Sequence, residues 1–344
     1  MTRRVVVVGA GLASAAHLTA LRAVGADVVG VVTRDGTRAA AARRLAPEAR
    51  ILPSLAAAAA AALDADTAVV VTPPSSHLAV ASALAERGLD LVIDKPLAAS
   101  LSDAQAIVDM AERTGVRAAV TLQHRYKEAA RRARQLLADG TIGTLRSATV
   151  TVPLWRPDSY YAEAGRGTWE RDGGGVLITQ AIHTLDLHLS LTGPARSVVA
   201  AASTSRGRLE AEDTIHLLID QGSNAASVTA STASWPGGAE TIHLFGDAGQ
   251  LRLAGDSLVL IDDNPRTLVD GSVDASGPDP LSMTAWFRSL YEDVFTSWAA
   301  GAAPLSDARS GLRVQSVIDA AYRSAAAGTT PEIVSEERES ACQS

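Results

Sequence analysis

Arg4-Val5-Val6-Val7-Val8 runs straight into Gly9-Ala10-Gly11-Leu12-Ala13-Ser14, and no other stretch limits the fold of this chain as strongly. Four successive valines leave a strand with no polar face, so it must be covered on both sides, as the strands of a parallel sheet are. The glycines then dictate the turn. Gly9 permits a tight reversal, Gly11 lets the backbone approach a pyrophosphate, and Ser14 is small enough for close packing of the next helix. A helix from about Leu12 to Val24 would direct its first N–H groups at phosphate oxygens. The same residues can build an ordinary strand–helix turn; their place at the head of a strand–helix series favours a dinucleotide.

That series continues through six expected strands. Asp27–Val32 is followed by an alanine-rich helix from Arg38, a short strand at Arg50–Leu52, and a helix through Leu55–Leu63 whose polyalanine run is a strong helix former. Further strands are expected at Thr67–Val71, Leu89–Ile93 and Val116–Thr121, with a helix over Ser102–Thr114. Ligands of such sheets bind beyond the carboxyl ends of the strands, which singles out three loops. Thr72-Pro73-Pro74-Ser75-Ser76-His77 ends one strand, with Ser75 or Ser76 able to cap the next helix and His77 read as its buttress. Asp94-Lys95-Pro96 ends another and points a cation at the same crevice; a surface lysine paired with Asp94 is the plainer alternative. Where an acid would bond the ribose of NAD stand Thr33 and Arg34. NADP(H) is therefore the expected preference, with NAD the other candidate through Asp35 or Asp27.

Composition narrows the partners. A chain of 344 residues, 47% hydrophobic and 20% charged, has core enough for two globular domains. A formal net charge of -7 speaks against a nucleic-acid partner. The single cysteine, Cys342, lies in a polar tail, so neither a disulfide framework nor a cysteine metal site is expected, and the histidine spacing suggests no metal either. Arg3-Arg4 before an apolar run superficially resembles a twin-arginine signal, but Gly9 and Gly11 interrupt it and it reads better as the first strand. No run approaches the ~18 apolar residues of a membrane span. A cytoplasmic protein with no membrane partner is the expectation.

The second half changes character. A helix over Tyr126–Asp139 and a strand over Leu145–Leu154 lead into a polar, aromatic stretch holding Trp155, Arg156, Tyr160, Tyr161, Arg166 and Trp169. Ring faces with hydrogen-bonding tips suit a polyhydroxylated ring; a loop packed on its own domain is the alternative. Gly173-Gly174-Gly175 then opens a helix that turns Leu177, Ile178, Ala181, Ile182 and Leu185 inward and brings Gln180, His183 and Asp186 near one another. His183 is a candidate acid/base, a core helix with satisfied polar residues being the other reading. Ser197–Thr204, Thr214–Asp220, Ala226–Ser234, Thr241–Phe245 and Gln250–Leu253 read as antiparallel strands. Trp286, Phe287, Leu290, Val294 and Trp298 read as the core stripe of a late helix.

In this order the motifs resemble the glucose–fructose oxidoreductase, inositol dehydrogenase and rhizopine-catabolism family, Gfo/Idh/MocA. The likeness spans nearly the whole chain: the glycine turn with His17, Thr72-Pro73-Pro74 with His77, and Asp94-Lys95-Pro96 where the family commonly has Glu-Lys-Pro. It continues through Gln123-His124-Arg125-Tyr126, Arg166-Gly167-Thr168-Trp169, the glycine triplet with His183-Thr184-Leu185-Asp186, Ser306-Asp307-Ala308-Arg309 and Ala321-Tyr322-Arg323-Ser324. The resemblance implies a Rossmann domain, placed at residues 1–122, and an α/β domain with a large, mostly antiparallel open sheet, placed at residues 123–335 before a tail at 336–344. It implies Lys95 and His183 as catalytic residues and a cis bond before Pro96. Leu12, Ala13, Thr72, Pro73, His77, Asp94, Lys95 and Gln123 are then expected at the cofactor, with Arg125 and Thr179 joining the aromatic stretch at the substrate. Thr179 is a departure, since inositol-dehydrogenase-like members carry an aspartate there, which makes inositol itself a less secure substrate.

The expected activity is hydride transfer between NAD(P) and a carbinol or ketone of a sugar or cyclitol, in a homo-oligomer (dimer or tetramer). His183 would take the hydroxyl proton and Lys95 would stabilise the developing alkoxide. The alternatives are a keto-reductase of nucleotide-linked deoxysugars and, in another class, a cofactor-bound sugar sensor without turnover. Retention of both Lys95 and His183 argues against the sensor.

Overall fold

The computed structural model describes residues 2–11, 13–60, 64–206, 209–271 and 280–334; Leu12 and the polar tail with Cys342 lie outside them. The chain divides into two compact units, the first drawn from residues 1–127, 169–173 and 277–312, the second from 128–168, 174–276 and 313–344.

In the first unit, β1 (Arg4–Val8), β2 (Asp27–Val32), β3 (Arg50–Leu52), β4 (Thr67–Val70), β5 (Asp90–Ile93) and β6 (Ala118–Val120) form one parallel sheet in the order β3-β2-β1-β4-β5-β6. The valine run behaves as its composition demands. Val5 and Val7 go to one side with Leu18, Leu21, Phe287 and Tyr291, while Val6 and Val8 go to the other with Ala81, Ile107 and Val120. Burying each valine stabilises by roughly 1.5–3 kcal/mol, so both helical layers are required. The first helix is Ser14–Ala23, slightly shorter than expected, and the Pro280–Ala299 helix packs against it through the predicted stripe. The Leu101–Thr114 helix is bounded by local chemistry: Ser100 Oγ accepts from Asp103 N at 3.1 Å, and Gly115 closes it in the left-handed region at φ 72°.

In the second unit, β7 (Leu145–Pro153), β8 (Ser197–Ser203), β9 (Thr214–Asp220), β10 (Ala225–Ser231), β11 (Thr241–Gly246), β12 (Gln250–Ala254), β13 (Ser257–Ile261), β14 (Arg266–Val269) and β15 (Glu332–Ile333) form a sheet in the order β14-β13-β12-β11-β7-β10-β9-β8-β15. β7 and β10 run parallel and the other neighbours antiparallel. Ala148, Val150 and Val152 of β7 and Ile215, Leu217 and Ile219 of β9 face a core with the Glu128–Ala138 and Ile182–Thr192 helices. The registers Ser203↔Thr214, Thr214↔Ser231, Ser231↔Pro153 and Thr151↔Thr241 bring the ends of β7, β8 and β10 and the starts of β9 and β11 to one end of the sheet.

Candidate functional site

In the first unit the expected cofactor residues gather at the carboxyl edge of the parallel sheet. Gly9 has φ 104°, and a Cβ there would lie 2.6 Å from the Val71 carbonyl oxygen, so neighbouring backbone demands glycine. A Cβ on Gly11 would meet nothing within 4 Å among the described residues, leaving a cradle that a side chain would fill. The Ser14–Ala23 helix begins at Ala13 with no side-chain cap and no acid in its first turn, a start suited to a pyrophosphate. At the end of β2, Thr33 Oγ1 accepts from Asp35 N at 3.3 Å. Asp35 in turn accepts from Thr37 N at 2.8 Å and Arg38 N at 3.0 Å. Those bonds, the Arg38 N–H foremost, hold its carboxyl below the usual carboxylate range.

Beyond β4 and β5 the loops are locked together. His77 is fully buried; Nε2 lies 2.8 Å from the Thr72 carbonyl, and Nδ1 lies 3.1 Å from those of Pro96 and Leu97. Burial pushes its pKa down. Any part it takes in cofactor binding therefore runs through the loops it joins, among them Thr72-Pro73 and the Lys95–Pro96 peptide, which is cis as the resemblance implied. Asp94 accepts from Thr121 Oγ1 at 2.5 Å, and Thr121 Oγ1 accepts from Lys95 N at 3.2 Å. Buried His17 places Nε2 3.7 Å from Asp94 and Nδ1 2.6 Å from Tyr291 Oη. Burial would raise the Asp94 carboxyl, but His17, Lys95 and Thr121 together hold it well below the usual range. Gln123 is buried, and its Oε1 has no hydrogen-bond partner among the described residues, which suits an amide-bearing ligand. Arg125 is tied to the Leu305 carbonyl at 2.6 Å and Ser310 Oγ at 3.2 Å. Trp169 starts a short helix, Trp169–Asp172, that packs on the Pro74–Ser76 turn.

In the second unit, a buried carboxylate sets the hinge before His183. Glu212 accepts from Gly175 N at 2.8 Å, Leu177 N at 3.0 Å and Tyr322 Oη at 3.0 Å. A Cβ on Gly175 would collide with the Glu212 carbonyl, and one on Gly174 with the Tyr322 hydroxyl. From this hinge Leu177–Ala181 winds as a π-turn, a local form frequent at functional sites, and Ile182–Thr192 continues as an α-helix carrying half-buried His183. Thr179 Oγ1 donates to the Gly175 carbonyl at 2.6 Å. Gln180 Nε2 donates to Tyr160 Oη at 3.1 Å. Thr184 hydrogen-bonds Glu240, just before β11, so the His183 end of the helix sits at the sheet end defined above.

Of the expected aromatic residues, Trp155, Tyr160 and Tyr161 meet there, whereas Trp169 belongs to the first unit. Arg166 lies 4.4 Å over the Tyr160 ring and pairs with Glu163; Arg156 lies 5.6 Å from the same ring. Tyr160 and Tyr161 stack edge to face at 5.0 Å. Trp155 meets Trp235 at 5.3 Å, and Arg206 lies over both Trp155 and Tyr161. Glu212, Arg206 and Trp235 are contributors that sequence reasoning missed. Arg206 stands in a turn with no periodic signal, and Trp235 follows the end of a strand. Only the paired acids Glu212-Asp213, directly ahead of β9, offered a cue.

A family model for the NAD-binding Rossmann fold of the oxidoreductase family matches residues 3–122, and one for the GFO/IDH/MocA C-terminal domain matches residues 130–252. D-apiose dehydrogenase of Paraburkholderia graminis is 28% identical over 96% of this chain and 90% of its own length. The WlbA dehydrogenase of Bordetella pertussis, solved with NADH and UDP-GlcNAcA, is 27% identical with a TM-score of 0.85 over 98% of this chain and 99% of its own. That of Chromobacterium violaceum, with the same two ligands, is 26% identical with a TM-score of 0.84 over 98% and 97%. NADH in both corrects the NADP(H) preference expected from Thr33 and Arg34. The physical reason lies one residue further on. Asp35, kept ionised by the N–H groups of its helix, presents at the end of β2 a negative charge that a 2′-phosphate would have to approach.

Proposed function

This chain belongs to the Gfo/Idh/MocA family, as an NAD(P)-linked oxidoreductase of sugar or cyclitol carbinols and ketones, and we propose that NAD(H) is its cofactor and that Lys95 and His183 are its catalytic residues. One observation carries the reading. The Gly9 turn, the uncapped start of the Ser14–Ala23 helix, the Asp35 carboxylate and Lys95 all issue from carboxyl ends of β1, β2 and β5, about the β1/β4 switch point where open parallel sheets bind ligands. Gly9, Gly11 and Ala13 would take the pyrophosphate, Asp35 the ribose, and Thr72, Pro73, Asp94 and Gln123 the nicotinamide half. When bound, the nicotinamide supplies the two-electron chemistry. His183 takes the proton of the substrate hydroxyl, and Lys95 stabilises negative charge on its oxygen. Residues 1–122 thus serve mainly the nucleotide, with Lys95 turned to the substrate, and residues 123–335 mainly the substrate, with Gln123 at the nicotinamide. Tyr160, Tyr161, Trp155 and Arg166 shape the sugar site.

Lys95→Ala is expected to lower turnover by about 10²–10⁴, the range for a positioned acid/base, while NADH still binds. Near-wild-type turnover in that variant refutes the assignment. A nucleotide-linked sugar is the second reading of the substrate, favoured by the UDP-sugar in the WlbA structures. We further propose a cytoplasmic homo-oligomer, dimer or tetramer. The outward face of the large sheet supports it, with Leu218 63% exposed among small residues such as Thr149 and Thr229. Light scattering of the purified chain checks the oligomer; a monomer at micromolar concentration excludes it. No helix among the described residues is long and apolar enough to cross a membrane.

A further inference from the structure

Arg206 sits where β8 has ended, at the end of the sheet that also carries His183, with its side chain only 12% accessible. Its guanidinium carbon lies 4.8 Å over the Trp155 ring and 5.4 Å from that of Tyr161. The backbone beneath is fixed: fully buried Asp213 accepts from Ser205 N at 2.9 Å, Ser205 Oγ at 2.7 Å and Arg206 N at 3.2 Å. The guanidinium itself is poorly matched. Its nitrogens reach Asp158 Oδ1 at 3.4 Å and the Thr232 carbonyl at 3.3 Å, both longer than the ~2.7–2.9 Å of a charge-assisted bond. A guanidinium has five N–H donors in a planar fork. Asp158 is 74% exposed, so solvent screens its pull on the guanidinium. The continuity with the proposed site is short: Tyr161 stacks on Tyr160, and Tyr160 Oη accepts from Gln180, three residues before His183.

We propose that Arg206, set against Trp155 and Tyr161, anchors an anionic group, a carboxylate or phosphate, that the substrate carries away from its reacting carbinol. The inference rests on the reading of His183 and the aromatic loop as a sugar site. Both rings lie against the guanidinium, and its planar fork is the shape that pairs bidentately with planar or tetrahedral oxyanions. Trp235, 75% exposed and edge-on to Trp155, extends an apolar wall beside that charge, as an anion mounted on a ring or linked to a base would need.

The test is calorimetric titration of the full chain saturated with NADH, using D-glucuronate and D-glucose 1-phosphate, each against D-glucose. At least one anionic sugar should bind roughly tenfold tighter or more, the size of one charge-assisted contact. Preference for glucuronate assigns the anion to a sugar acid, and preference for the phosphate to a phosphate-linked sugar. Arg206→Met, which keeps apolar volume between the rings, should collapse the ratio to near one with NADH affinity intact; Arg206→Lys should restore part of it. A merely structural arginine would lower thermal stability in both variants without moving the ratio. Equal binding of charged and neutral sugars, or a preference surviving in Arg206→Met, overturns this inference alone. Binding by none of the three sugars overturns it together with the sugar reading.

Discussion

At the scale of residues, we assign the choice of cofactor to one carboxylate, and one hydroxyl departs from the pattern of the proposed substrate site. Asp35 lies two residues past the position where Thr33 pointed to NADP(H), and its ionised state comes from helix N–H groups that no reading of the β2 end alone would count. Replacing it with serine keeps an N-cap acceptor and removes the charge. Asp35→Ser should therefore shift the ratio of NADPH to NADH affinity toward NADPH by roughly tenfold, the scale of one screened charge contact, in side-by-side titrations. An unchanged ratio would remove Asp35 from the discrimination. Thr179 shows the opposite lesson. Its hydroxyl bonds back to the Gly175 carbonyl, an intrahelical habit of threonine, so it braces the π-turn at the position where the resemblance implied an aspartate. Lys95 and His183 could be proposed from sequence because Lys95 precedes a proline and the His183 helix follows a glycine triplet. Arg206 could not be, because the rings it meets, Trp155 and Tyr161, lie far from it in sequence.

At the scale of elements, the helix that carries His183 is held at both ends by buried ionisable groups with opposite demands. At its head, burial pushes the Glu212 carboxyl up even as Leu177, Tyr322 and Gly175 donate to it. Further along, His188 is wholly buried, and burial pushes its pKa down to about 4 against a weaker upward pull from Gln221. For a depressed histidine the folded state binds fewer protons than the unfolded state between about pH 4 and the ordinary value near 6.5. Stability is thus full above that ordinary value and is lost as pH falls through the window. The loss should reach about 2 kcal/mol by about pH 5. Denaturant unfolding of His188→Gln and the parent chain, compared at neutral pH and near pH 5, should show the parent losing more by about that amount. Parallel curves would mean that His188 is charged in the folded protein. Sequence periodicity predicted this helix but not the π-turn at its start, which depends on Glu212 reaching Gly175 and Leu177 from outside the segment.

At the scale of the molecule, the first sheet was readable strand by strand because an uninterrupted valine run admits one kind of burial. The large sheet was readable only in part. β13, β14 and β15 are short, and β15 is held by pairing of Glu332 and Ile333 with Val198 and Ser197, a long-range contact without local signature. The stripe on the Pro280–Ala299 helix announced burial but not its partner, which proves to be the Ser14–Ala23 helix. The site follows the same rule: residues fixed by local turns could be foreseen, whereas those fixed by strand register could not. We propose that this chain moves hydride between a sugar-type carbinol and NAD, with Lys95 and His183 serving the alcohol oxygen. The most direct test uses a panel of free, acidic and phosphate-linked sugars deuterated at the carbinol carbon, each incubated with NAD⁺ and the purified chain. The account predicts deuterium at nicotinamide C4 with at least one sugar, in the parent chain and at strongly reduced rate in Lys95→Ala and His183→Ala. Tight NADH binding with no label transferred from any sugar in the panel would contradict it.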